Sequence, residues 1–407
     1  SLGYRIFYLC EGDVEACNGD IEVGVLASAR DWCLENEYLR VKVDPDSGCL
    51  TEVYDKAARR MVMSKERQPF VQPAYNNLLQ VLYEVPHDMS AWIIGGISRI
   101  ENLIRGALVE LVESGPVRGV IRVTHHVGSS TISQEITLYR GIKRIDFLTE
   151  IDWREESGPC KDAPMLKAAF TPDLPKAWAT FEIPYGYIER PADGREVPAL
   201  IWIDLSSDEY GVSLLNDGKY GFDVSGNTMR ITLLRTSYEP DPRPDQGVHR
   251  FVYSIYPHEG DWREAETPRR GEELNRPLLA FPLIGEFIKE GGGVKEGSGR
   301  FMREKAEACP ECTGLPEAKS FVRVDARNAI ISSLKRAEDN NGLVIRLYEC
   351  EGRDTDVVVQ FGFDVLRVTE LDLIERPIPT TDPVMRLEGN VLRFHLKKHE
   401  IRTFLLE

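Results

Sequence analysis

Apolar residues along this chain recur every second position. In Tyr38-Leu-Arg-Val-Lys-Val43, Leu39, Val41 and Val43 share one face, while Tyr38, Arg40 and Lys42 share the other. The alternation returns in Ile121-Arg-Val-Thr-His125, Ile132-Ser-Gln-Glu-Ile-Thr-Leu138, Leu343-Val-Ile-Arg-Leu-Tyr348 and Ile401-Arg-Thr-Phe-Leu405. A period of two with one apolar face predicts antiparallel sheet with one side buried. Turn residues fall between such runs: Asp44-Pro-Asp-Ser-Gly48, Asn216-Asp-Gly218 and Ser225-Gly-Asn227. Helical signals are few, the best being Glu304-Lys-Ala-Glu-Ala308 and Ala318-Lys-Ser320. The fold class expected is therefore mainly β.

At 407 residues the chain is long enough for two or three domains. We expect lead-in strands and a linker over 1–30, a central β body over 31–277, and a connecting hairpin and flexible loop over 278–318. A small C-terminal β-sandwich is expected over 319–407. The stretch 291–299, with five glycines and no apolar anchor beyond Val294, is the expected flexible tip. The first residue is Ser1 rather than Met, from which an upstream segment is expected.

Composition narrows the function classes. A hydrophobic share of 42% and a charged share of 29% are those of a globular protein with a sizeable core. The formal net charge of −16 argues against nucleic-acid and anionic-membrane partners. No apolar run is long enough to span a bilayer, and no secretory leader is visible. Eight cysteines are too sparse for a disulfide scaffold, so a cytoplasmic location is expected. Cys309 and Cys312 form a lone C-x-x-C without a companion pair, which reads as incidental. P-loop, dinucleotide-binding, H-E-x-x-H and G-x-S-x-G motifs are absent.

Three polar-aromatic stretches could carry chemistry. Glu84-Val-Pro-His-Asp-Met-Ser-Ala-Trp92 mixes carboxylates with His87, Asp88 and Trp92. Glu239-Pro-Asp-Pro-Arg-Pro-Asp-Gln-Gly-Val-His249 offers Asp241, Arg243, Asp245 and His249 on a support stiffened by prolines. Tyr256-Pro-His-Glu-Gly-Asp-Trp262 puts His258 beside carboxylates and an indole after a strand. Indoles beside carboxylates suit sugar rings and their hydroxyls. The competing reading makes the last stretch a turn fixed by His258 and Glu259, with Trp262 covering the core. His125 and His126 are adjacent in a strand, point to opposite faces and cannot share a metal. His395 and His399 read as a solvated edge.

Taken together, the chain resembles the C-terminal half of glycoside hydrolase family 38 α-mannosidases of the bacterial and archaeal form. The resembling stretches run from Leu34-Glu-Asn-Glu-Tyr-Leu-Arg-Val-Lys-Val43 and Val53-Tyr-Asp-Lys56, through Ala91-Trp92 and Arg144-Ile-Asp-Phe147, to Phe181-Glu-Ile-Pro-Tyr-Gly-Tyr-Ile-Glu-Arg190. They continue in Leu214-Leu-Asn-Asp-Gly-Lys-Tyr-Gly221, Tyr256-Pro-His-Glu-Gly-Asp-Trp262, Gly342-Leu-Val-Ile-Arg-Leu-Tyr-Glu349 and His399-Glu-Ile-Arg-Thr-Phe404. The resemblance implies a large galactose-mutarotase-like antiparallel supersandwich followed by a smaller β-sandwich. It further implies retaining hydrolysis of terminal α-mannosides, using an aspartate nucleophile and a zinc ion in an N-terminal barrel. No catalytic or metal residue of that kind carries over to this chain, and zinc is expected only in the missing catalytic half. The expectation is a non-catalytic part that packs on the barrel and lends loops to the rim of the mannoside site. The rim residues expected are Asp241, Arg243, Asp245 and His249, with His87, Asp88, Trp92 and His258 behind them. Exposed interface would also promote homo-oligomers. The alternatives are a free-standing carbohydrate-binding module and an aldose-epimerase-like enzyme pairing His249 or His258 with Glu259.

Overall fold

The computed structural model describes residues 2–6, 25–64, 75–241, 243–280, 316, 318–339, 342–379 and 382–407. Glu304 to Ala308, the 291–299 stretch, and Cys309 and Cys312 lie outside them.

The central body is a supersandwich of two antiparallel sheets. The larger has nine strands, in the order Gly186–Arg190, Trp178–Ile183, Trp202–Ser206, Tyr210–Asn216, Gly247–Glu259, Ile145–Trp153, Ser130–Tyr139, Arg118–Val127 and Leu108–Ser114. The smaller has six, in the order Val197–Pro198, Gly221–Ser225, Thr228–Arg235, Ala163–Phe170, Leu78–Glu84 and Ile97–Asn102. Alternation decides which side chains meet between them. Ile136, Phe147 and Tyr253 from the larger sheet face Val81, Phe170 and Ile231 from the smaller, all buried in one core. Phe147 stacks on Tyr253 at 5.0 Å and tilts against Phe170 at 5.6 Å, so aromatic contact joins the two layers. Leu39, Val41 and Val53 enter the same core from a five-stranded sheet spanning Leu26–Ser28 to Arg60–Met61. His125 is buried and its neighbour His126 exposed, as alternation requires.

The C-terminal sandwich packs a five-stranded sheet on a four-stranded one. Phe394 from the first meets Phe404 from the second at 4.9 Å, amid buried Val357, Ile345 and Leu347. Its edge strand is Leu2–Arg5, which pairs with Ala318–Val324. The chain therefore starts in the C-terminal sandwich, whereas Leu26–Ser28 belongs to the central body.

Two local expectations change. Ala318 to Ser320 form strand rather than helix, because they pair with Arg5, Tyr4 and Gly3, and three residues cannot nucleate a helix. A helix does form over Thr267–Asn275, with Pro268 in its first turn. It lies on the outer face of the nine-stranded sheet. Thr267 Oγ1 is 2.8 Å from Ser213 Oγ, Asn275 donates to the Asn216 carbonyl, and Gly271 sits against Ile201 and Trp202.

The two bodies touch through that helix and the loop before it. Arg269 donates to the carbonyls of Ala326 and Arg327, and Tyr185 meets Tyr348 edge-on at 5.2 Å. His399 is exposed, as expected, with its ring 5.5 Å from that of Tyr187 at this junction. His395 also lies at the surface, 2.9 Å from Asp356.

Candidate functional site: two loops joined at one end of the central body

Glu84 and Arg235 end two strands that flank Ala163–Phe170, opposite Ala163 and Met165 respectively. Both loops that follow, 85–96 and 236–246, thus leave the same end of the sheet. Glu84 is 1% exposed, and its carboxylate accepts two bonds of 2.9 Å from Arg235, one of 2.5 Å from the Gly95 amide, and faces His87 Nε2 at 2.5 Å. Burial pushes the Glu84 carboxyl up, but the bonds from Arg235, Gly95 and His87 outweigh it and hold it below the usual range. The same carboxylate, followed by the Asp88 carbonyl, raises His87.

The loops are laced to one another. Arg235 donates to the Ile93 carbonyl and Tyr238 Oη to that of His87. Ser90 Oγ accepts from the amides of Tyr238 and Glu239, and the Ala91 amide donates to the Glu239 carbonyl. This framework brings His87, Asp88 and Trp92 to the same end as Asp241, Arg243 and Asp245. Trp92 is 65% exposed and is flanked by exposed Met89, Ile93, Ile94 and Ile97. Asp88 and Asp241 are exposed carboxylates, and Asp241 caps the Arg243 amide at 2.9 Å. Arg243 extends into solvent, 3.9 Å from Glu156. Asp245 adopts a left-handed backbone, and its carbonyl lies 2.6 Å from His249 Nε2. The surface thus combines an open indole, carboxylate acceptors and a guanidinium donor, groups suited to a polyhydroxylated ring.

His258 is not part of it. It sits nine residues from His249 along one strand, about 30 Å away. It is 3% exposed, with Nε2 2.8 Å from Asp204 Oδ2, which also accepts from Ser213. Trp262 is fully buried against Trp202, in line with the core-covering reading. The epimerase pairing fails on the same geometry. His258 and Glu259 are consecutive on one strand and point to opposite faces, and His249 is ten residues from Glu259.

Among the described residues no three His, Cys, Asp or Glu side chains could jointly hold a metal ion. His87, His249 and His258 each engage a backbone carbonyl, His87 and His258 together with one carboxylate. The anchor pair Glu84–Arg235 and the lacing groups Ser90 and Tyr238 were not singled out by loop composition. Their only sequence signal is an opposite charge at the ends of two strands whose pairing is not local.

Comparison with known proteins gives the frame for this surface. The family model for the glycosyl hydrolases family 38 C-terminal domain matches residues 34–243, and that for the family 38 C-terminal beta sandwich domain matches residues 328–404. Alpha-mannosidase 2C1 of Mus musculus is 29% identical over 388 residues, covering 92% of this chain and 33% of its own length. Alpha-mannosidase G of Dictyostelium discoideum is 26% identical over 360 residues, covering 85% of this chain and 29% of its own. The crystal structure of an alpha-mannosidase from Enterococcus faecalis V583 matches with a TM-score of 0.68 at 15% identity, over 94% of this chain and 43% of that one, a likeness of fold. The chain spans about a third of the length of the curated relatives it matches.

Proposed function

The chain belongs to family 38 of the glycosyl hydrolases, and from that premise we propose that it is the C-terminal, non-catalytic part of an α-mannosidase. The carrying observation is the laced loop pair, which gathers His87, Asp88, Trp92, Asp241, Arg243 and Asp245 at one end of the central body. In this reading a separate catalytic portion docks over that end, and Trp92 with Asp241 and Arg243 completes the rim of its sugar site. The exposed Met89, Ile93, Ile94 and Ile97 supply apolar area for the contact. In the free chain the same area favours self-association.

Retaining hydrolysis requires two carboxylates about the scissile bond. In this reading zinc chemistry belongs to the catalytic portion, and no step is assigned to zinc here. Among the described residues no helix is long and apolar enough to cross a membrane. Among the described residues Cys33, Cys49, Cys160 and Cys350 are free thiols; a cytoplasmic location is part of the same proposal.

The rim assignment is tested in the complete polypeptide with an aryl α-mannoside. Trp92→Ala and Arg243→Ala are expected to raise KM by about tenfold each with little change in kcat, the loss of substrate contacts made equally in ground and transition states. An unchanged KM in both variants would remove the loop pair from the sugar site.

A further inference from the structure

We propose that His87 is a pH-sensitive catch on the loop that carries Trp92. As imidazolium it holds the 85–96 segment closed, and release of its proton to solvent lets the turn bearing the indole open. The catch is a property of this chain's own residues; only its consequence for an α-mannoside rests on the function proposed above.

The charge state follows from what the two ring nitrogens face. Nδ1 is 2.7 Å from the Asp88 carbonyl, and Nε2 is 2.5 Å from Glu84 Oε1. A carbonyl only accepts. Glu84 is likewise an acceptor, because Arg235 and the Gly95 amide already aim three donors at its two oxygens. A neutral imidazole has one N–H, so neither tautomer satisfies both contacts, whereas the imidazolium has two. The Glu84 carboxylate first, and then the Asp88 carbonyl, raise the imidazole above its ordinary value, in agreement with that geometry. Arg235, from the neighbouring strand, opposes the imidazolium and is itself neutralised by Glu84. Asp88, Glu239, Asp241, Arg243 and Asp245, the other charged groups of the two loops, are exposed, and Tyr238 reaches the His87 carbonyl rather than its ring.

The carbonyl that His87 holds leads straight into the part that moves. Asp88 is followed by Met89, whose φ of +60° is a left-handed conformation that a side chain disfavours. The Met89 carbonyl accepts the Trp92 and Ile93 amides at 2.9 and 3.1 Å, closing the turn that presents the indole. A Cβ at Gly95 would stand 2.5 Å from His87 Cδ2, so the far end of the segment packs directly on the ring. With a single N–H left, one ring nitrogen turns its lone pair to an oxygen at 2.5 or 2.7 Å. Glu84 is fixed by Arg235, so the Asp88 peptide is the one free to turn away, and Met89 then leaves the left-handed region.

The test is hydrogen exchange of the 85–96 segment in the 407-residue chain from about pH 6 to pH 9, corrected for intrinsic base catalysis, beside an NMR titration of the His87 ring. Glu84, held below the usual carboxylate range, does not titrate in that window. Protection of the Trp92 and Ile93 amides is expected to fall severalfold with the midpoint of the ring. His87→Gln keeps a donor toward Glu84 but cannot titrate, so its protection should be independent of pH. Constant protection in the wild type, or an equal fall in His87→Gln, would overturn the catch. In the complete polypeptide, KM for an aryl α-mannoside should rise severalfold with the same midpoint and lose that step in His87→Gln. A flat KM beside the expected change in protection would uphold the catch and remove the loop pair from the sugar site. A KM step without the change in protection would overturn the catch and leave the rim reading standing.

Discussion

Replacing Arg235 by Met isolates what holds the loop pair in place. The substitution keeps most of the side chain's bulk but removes two 2.9 Å bonds to Glu84 and one of 2.8 Å to the Ile93 carbonyl. Glu84, 1% exposed, is left with the Gly95 amide and His87. Breaking a buried pair from one side costs about 3–5 kcal/mol. Two partners remain to Glu84, so the lower end, about 3 kcal/mol, is expected for Arg235→Met at neutral pH. Glu84→Gln leaves Arg235 able to reach both the amide oxygen and Ile93 and should cost less. A double-mutant cycle read by urea unfolding should then give a coupling of at least about 2 kcal/mol. The pH dependence has a definite sign. Glu84 is held below the usual carboxylate range, so its contribution is present above the unfolded value and lost as pH falls through the folded one. His87 is raised, so its contribution is complete below its unfolded value and lost as pH rises through the folded one. With Arg235 gone, His87 is the remaining cation, and the deficit should be smaller at pH 6 than at pH 8. A coupling under about 0.5 kcal/mol, the worth of an exposed surface pair, would refute the reasoning. So would a deficit independent of pH.

Glu182 is buried and its carboxyl is pushed up to about 8, chiefly by desolvation and further by Glu272. A raised acid costs stability as pH climbs from the unfolded to the folded value, so Glu182→Gln should match the wild type at pH 4. At pH 7 it should exceed the wild type by on the order of 3 kcal/mol, and parallel stability–pH curves would contradict this. Gly48 has a φ of +66°, and a methyl there would overlap Val123 Cγ1. Gly48→Ala should lower stability by about 2–3 kcal/mol, partly recovered with Val123→Ala, and a neutral effect in thermal unfolding would deny the close approach.

Strand character was readable from the sequence wherever one face is buried. The alternation at Leu39, Val41 and Val43, and the opposite faces of His125 and His126, are local properties of a pleated strand. Turns were readable too: Gly48 and Gly226 both take the left-handed backbone that their runs require. The supersandwich and its family were reached from many ordered stretches together, because no single one is specific. The helix Thr267–Asn275 was missed although Pro268 marks its start, since its stability comes from Ser213 and Asn216 on a distant strand rather than from its own residues. Non-local pairing also explains the other gaps. His258 reads as a loop histidine until the sheet brings Asp204, 54 positions away, against it. Leu2–Arg5 gives no sign that its partner is Ala318–Val324. Of the rim residues expected, the two loops were recognisable by composition, whereas their apposition depends on Glu84 and Arg235 meeting across 151 positions.

The central claim is that this chain lends a surface to an α-mannoside site without performing the chemistry. The most direct measurement is turnover of an aryl α-mannoside by the purified chain at high protein concentration, with and without added zinc or cobalt. The account predicts no turnover under either condition. Metal-dependent turnover, retained through purification and lost on chelation, would contradict it and place a complete catalytic site within these residues.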